Sequence, residues 1–199
     1  MTRYSYFFSV AFVLLLMSQL FMAYRTARIE SPKYEIVKSF EKFEIRKYDA
    51  MVLAQTQMNS NVYEESSSMG FKTIANYIFG GNKNNQKIAM TSPVIMEMGE
   101  SSKMSFVMPK EHSFENLPEP NSERVELIQM QPKTYAVLEF TGFANDTKIQ
   151  KHSKRLLQFL KSEKLAPVGN MKYLGYNPPW QVLGRKNEVA VEVRYSAKL

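Results

Sequence analysis

An order of elements that occurs twice at a nearly constant spacing constrains this chain most. Thr147 lies 85 residues after Val62, Pro179 lies 86 after Pro93, and Val191 lies 85 after Phe106. Each half reads strand, strand, helix, strand, strand, over about 34–108 and about 124–195, joined by a loop at 112–122 rich in proline and acid. FEIRKYDAMVLAQT in the first half reads like VELIQMQPKTYAVLEFT in the second, allowing a turn longer by three residues. One such unit alone leaves a sheet edge unpaired, so pairing of the two about a pseudo-twofold axis is the economical way to satisfy the backbone. The expected fold class is α+β, with the duplicated units forming a distorted antiparallel β-barrel flanked by two helices. At 199 residues and 44% hydrophobic, the chain has material for one ordinary core plus an appendage.

The stretch from Gly70 to Met98 carries three local instructions in succession. Ile74, Tyr77 and Ile78 recur at helical spacing, within a helix expected from about Val62 to Phe79, with Asn59 or Asn61 as its cap and Glu64 and Glu65 in its first turn. Gly80 and Gly81 stop it. From Ile88 onward Met90, Val94, Met96 and Met98 alternate as an apolar strand face, and Pro93 within that run predicts an edge position or a bulge. A second helix is expected from Thr147 to Lys164, a strand from near Met171, and a last strand from Glu188 to Tyr195. Asn145-Asp146-Thr147 both starts that helix and matches a glycosylation sequon.

Ahead of both units, Phe7 to Ala23 is apolar apart from Ser9, Ser18 and Gln19, with Arg3 before it and Arg25 and Arg28 after it. Its length just reaches the roughly 20 residues a bilayer requires. Residues 1–28 are a signal peptide, leaving an exported domain, or a single-span membrane anchor. The lack of a small-x-small cleavage site favours the anchor, and Tyr4, Tyr6 and Tyr24 would mark its interfaces. Flanking positive charge at both ends leaves the orientation open. Residues 29–199 form the domain proper.

Several function classes are disfavoured. Without the three arginines of the N-terminal segment, the +7 charge falls to 23 basic against 19 acidic residues, or +4, too mild for nucleic acid in a chain with no recognition-module spacing. No cysteine means no thiol nucleophile and no thiolate metal site, and His112 and His152 form no ligand cluster. Ser92 lacks a glycine elbow, Gly80-Gly81-Asn82-Lys83 lacks phosphate-loop spacing, and Glu64 beside Glu65 reads as dipole-favouring acid, so the expectation is no enzyme. Met90, Met96, Met98, Met104 and Met108 fall on two neighbouring strands, as an ordinary core or as an adaptable ligand surface. The second helix surrounds Ile149, Leu156, Leu157 and Leu160 with Lys148, Lys151, Lys154, Arg155, Lys161 and Lys164: a solvated face, or one that meets anionic lipid or ligand carboxylates.

GFKTIANYIFGGN followed by KIAMTSPV resembles the signature of the SOUL haem-binding family, and FEIRKYDAMVLAQT, GYNPPW and RKNEVAVEV resemble its other blocks in the same order, from about Tyr34 to Tyr195. The resemblance implies an antiparallel barrel flanked by two helices, like the effector-binding domains of some bacterial regulators. It implies non-enzymatic binding of haem or another tetrapyrrole, for buffering or transfer, in a shallow apolar groove beside the first helix. The matching positions are Phe71, Ile74 and Ala75, with Lys72 as propionate partner. Where one branch of the family places an axial histidine, this chain has Lys47, so a porphyrin would be held by apolar contact and charge, without histidine ligation and with no protein metal site. The alternatives are a protein- or membrane-interaction module, with an unknown protein partner, and an effector sensor or small-molecule enzyme on the same fold.

Overall fold

A computed structural model describes residues 2–26, 28–60, 62–99 and 101–195. Asn61, and the side chains of Tyr4 and Tyr6, to which the capping and interface readings refer, lie outside the described part. After helix α1 (Thr2–Thr26) come strands β1 (Tyr34–Ser39), β2 (Glu44–Tyr48) and β3 (Met51–Gln57), helix α2 (Tyr63–Ile78), β4 (Val94–Glu97) and β5 (Lys103–Val107). The second half supplies β6 (Glu126–Met130), β7 (Lys133–Thr141), helix α3 (Asp146–Ser162), β8 (Pro167–Gly175) and β9 (Lys186–Val193). All strand pairs are antiparallel, in the order β1-β2-β7-β9-β8-β4-β5-β3-β6.

That order is symmetric about the contact between β4 and β8, where Val94 pairs with Gly175 and Glu97 with Lys172. Outward from it run β5, β3 and β6 on one side and β9, β7 and β2 on the other, with β1 as an added edge. The halves exchange their first strands. β2 pairs with β7, from Glu44 opposite Val137 to Tyr48 opposite Lys133, and β6 pairs with β3, from Met51 opposite Met130 to Gln55 opposite Glu126. Both pairings keep one register, so β2 running into β3 and β6 running into β7 make one long antiparallel ribbon, bent at 49–50 and 131–132. The ribbon links the two ends of the sheet and curls it into a half-barrel.

Three expectations are corrected by this arrangement. The two connections are equally long, at 49–50 and 131–132, so the second turn is not the longer one; β7 is longer than β3 by two residues, nine against seven, and pairs with β9 as far as Thr141. β4 is neither an edge strand nor bulged: Pro93 precedes its first paired residue, so no ladder hydrogen bond is lost and the strand occupies the middle of the sheet. Pro179, its counterpart by spacing, lies in the loop between β8 and β9.

Side chains alternate across the strands, and both helices cover one face. Ile74, Tyr77 and Ile78 of α2, with Ile149, Leu156 and Leu160 of α3, bury against Ile45, Met96, Met104, Phe106, Leu138, Val189 and Val191. Ala54 and Ala136 are fully buried at equivalent places, Ala54 opposite Phe106 and Ala136 opposite Val191, so a small residue meets a large one in each half. Gly70 lets α2 approach β5: a Cβ there would come 3.3 Å from the Met104 side chain. Gly80, at φ +112°, ends the helix as expected.

The helix starts are linked across the halves. Asn145 caps α3, its side chain accepting from the Lys148 amide at 2.9 Å. The neighbouring Asp146 accepts from the Tyr63 and Glu64 amides at 2.8 and 3.3 Å, so the cap of α2 comes from the other half. Asn59 instead contacts Met69 sulfur. One carboxylate thus serves two positive helix ends.

Candidate functional site

The face opposite the helices carries a cleft. Its floor is formed by Tyr48, Tyr135, Leu174 and Ala190, which with Val137 make a small buried cluster against which Met51, Ile95 and Tyr176 pack. Alternation decides this: Tyr48 faces here because Ile45 faces the helices, and Ile128 because Leu127 packs against the helix-covered core. The cleft encloses about 180 Å³, with walls that include Pro32, Leu53, Ile128 and Met130. Pockets for drug-sized ligands are usually ~300–1,000 Å³.

Its polar groups are few. Gln55 donates to the Ser105 hydroxyl at 3.2 Å, leaving its buried carbonyl oxygen without a hydrogen bond, and the buried Tyr48 hydroxyl lies beside the Arg46 guanidinium. Burial, with the nearby Glu188 charge, pushes the Tyr48 hydroxyl up to about 12, so it is neutral at physiological pH. Two lysines also belong to the lining: Lys133 pairs with Glu192 at 2.6 Å, and Lys172 pairs with Glu97. Burial opposes ionisation of Glu97, yet Lys172, Asn170 and Lys103 together hold its carboxyl below the usual range.

Beside the cleft lies a closed ionic network. Glu188 is fully buried, accepts from Arg46 at 2.9 Å and from the Tyr176 hydroxyl at 2.6 Å, and meets Lys186 at 3.0 Å. Arg46 also donates to Glu44 at 2.7 Å and lies under the Tyr34 ring. Burial disfavours the Arg46 and Lys186 cations, but Glu188 holds both pKa values above their ordinary range. This carboxylate is saturated, and its role is to tie β2 to β9.

The four positions on α2 divide. Phe71 is 37% exposed, with its ring 5.2 Å from that of Phe106, and Lys72 is exposed; Ile74 and Ala75 are buried against the sheet. Of the five methionines on the early strands, Met96, Met104 and Met108 are core, Met96 opposite Met104, whereas Met90 precedes β4 and is exposed. The methionines of the cleft are Met51 and Met130, paired across β3 and β6. On α3, Ile149, Leu156 and Leu160 are buried, but Leu157 is exposed. His152 stacks on Phe140 beneath that helix, with its centroid 4.3 Å away, and burial and then Arg155 lower its pKa. Lys47 is exposed, and Ser92 is buried with its hydroxyl on the Tyr176 carbonyl. No group of three or more His, Asp or Glu among the described residues is arranged to hold a metal ion.

The sequence profile of the SOUL heme-binding protein family matches residues 29–192. The chain belongs to the SOUL haem-binding family. SOUL relatives include heme-binding protein 1 of Xenopus laevis, 24% identical over 173 residues that cover 81% of this chain and 90% of that protein. Heme-binding protein 2 of Homo sapiens is 29% identical over 156 residues, 74% of this chain and 76% of that one. Among solved structures, the SOUL fold is similar to the EcmrR C-terminal domain, with a TM-score of 0.60 at 7% identity over 82% of this chain and 99% of that one. A hydrolase from Listeria innocua gives 0.55 at 12% identity over 82% and 94%. At such identities these likenesses concern the fold alone.

Proposed function

We propose that this SOUL protein binds haem or a related tetrapyrrole without chemical turnover, for buffering or transfer, and that the cleft opposite the helices is the seat. The observation that carries this reading is the lining: apolar walls from Met51, Leu53, Ile128 and Met130, the unsatisfied buried carbonyl of Gln55, and two lysines. A tetrapyrrole has the complementary chemistry, a flat apolar ring with carboxylates on one edge. The walls would hold the ring, Lys133 and Lys172 would meet the propionates in competition with Glu192 and Glu97, and the Tyr48 hydroxyl would donate to a ring substituent. With no histidine in the lining, affinity rests on burial and charge, and metal-free rings bind as well as haem. In this reading residues 29–199 are the binding unit, held at a membrane by α1. The segment Phe7–Thr26 has mean hydropathy 2.0 and no residue buried in the fold.

A second reading seats the ring on the outer side of α2, where Phe71 stands open above Phe106. There Lys72 would meet a propionate, and Ile74 and Ala75 would support the helix from beneath. Titrating hemin and metal-free protoporphyrin into the detergent-solubilised full chain, followed by absorbance, tests the function itself. Saturable one-to-one binding of both is expected. Binding of hemin alone would contradict a site that does not need the iron, and binding of neither would end the tetrapyrrole reading.

A further inference from the structure

The loop between β8 and β9 is built inside out. Gln181 is 1% exposed, donates to the Leu183 carbonyl at 2.9 Å and accepts from the Thr26 hydroxyl at 2.8 Å. Arg185 is buried under the loop, donating to the carbonyls of Pro178 and Gln181 at 2.8 and 2.6 Å, with its guanidinium over the Phe143 ring. Asn177 accepts from the Lys186 amide at 2.7 Å. What these contacts turn outward is apolar: Trp180, Val182 and Leu183 are 64%, 55% and 41% exposed. A loop with its polar groups inside and its large apolar side chains outside has the wrong polarity for water.

Its position says what covers it. The Val182 amide donates to Gln19 Oε1 at 2.9 Å, and Gln181 meets Thr26, so the loop lies along the last two turns of α1, from Gln19 to Thr26, or about 10 Å of helix. Arg25 and Arg28 mark the end of the apolar segment, Arg28 with its guanidinium over the Tyr24 ring. Aromatic side chains and arginines at the end of a spanning segment sit at headgroup level. We propose that this loop is a second membrane contact, in which Trp180, Val182 and Leu183 enter the interfacial layer of the phospholipid bilayer that α1 crosses. The proposal rests on α1 being a membrane span, and is independent of what the cleft binds. It fixes the domain at the surface by two attachments, so the domain does not swing freely on residues 29–33.

Trp180 is the chain's single tryptophan and reports directly on the loop. The full chain would be reconstituted into phosphatidylcholine vesicles, with flotation to establish that it is membrane-bound. Its emission would then be compared in ordinary lipid and in lipid brominated high on the acyl chain. Bromination is expected to lower Trp180 emission by at least about twofold, as for an interfacial tryptophan. The double variant Val182→Ser with Leu183→Ser, with its circular dichroism melt confirmed as native-like, is expected to lose most of that quenching while still floating. Flotation with no bromine quenching of the native chain, and full quenching by aqueous acrylamide, would overturn the loop contact and leave the anchor standing. Failure to float would overturn the anchor and this proposal together.

Discussion

The two faces of the sheet come from the same strands, yet they are finished differently. The face under α2 and α3 is closed by apolar side chains from both halves, large against small, with the helix starts stitched together through Asp146. The opposite face has a small cluster, a saturated ionic network on one side and an open cleft with the unsatisfied Gln55 carbonyl on the other. Strand alternation makes this division possible, since a residue can change on one face without touching the other. The large apolar core lies on the helix side, and the other side keeps an open cleft.

Glu188→Ala tests where that division fails. It leaves the buried Arg46 with Glu44 alone and takes the nearer carboxylate from the half-buried Lys186, which keeps Glu139 at 3.6 Å, and is expected to cost about 3–5 kcal/mol, measured by urea unfolding, although Glu188 lies on the face opposite the helices. Leu156→Ala opens a hole under α3 and should cost about 2–5 kcal/mol while leaving the porphyrin affinity of the folded fraction unchanged. A comparable loss of affinity would mean that the faces are coupled. Asp146→Ala removes the cap that α3 lends to α2, and about 1 kcal/mol should go with it; a loss indistinguishable from zero would make the bridge between the halves incidental. Glu97→Gln frees Lys172 for a ligand carboxylate and should tighten hemin binding by up to about fivefold at neutral pH, the upper worth of an ion pair that water still reaches. As the Glu97 pKa is lowered in the folded chain, the ion pair contributes stability above the ordinary carboxylate range, and that stability is lost as pH falls through the depressed value.

The element order, both helices and the pseudo-symmetry were legible in the sequence because spacing and alternation are local signals repeated at one offset. The exchange of β2 and β6 was not, since an equal offset says nothing about which half a strand pairs with. Asp146 read as the first turn of its own helix, and its bonds to Tyr63 and Glu64 span more than 80 residues. The alternation of Glu188, Ala190 and Glu192 shows that they share a face, but a buried glutamate in a strand looks like a solvated one until Arg46 arrives from β2. Phe71 and Lys72 were found through a resemblance and are open to solvent. Ile74 and Ala75 belong to the same motif but face the core, because a contiguous block on a helix must divide between two sides. The cleft residues Met51, Leu53, Ile128 and Met130 come together only through the long-range pairing of β3 with β6.

The central claim is that the uncovered face binds the ring, and one comparison tests it most directly. Hemin and protoporphyrin would be titrated into Ile128→Asp and Phe71→Asp, each first confirmed to be folded by its circular dichroism melt. The cleft account predicts that Ile128→Asp abolishes saturable binding of both and that Phe71→Asp binds as the native chain does. The opposite result, loss with Phe71→Asp and retention with Ile128→Asp, would contradict it and place the ring on the outer surface of α2.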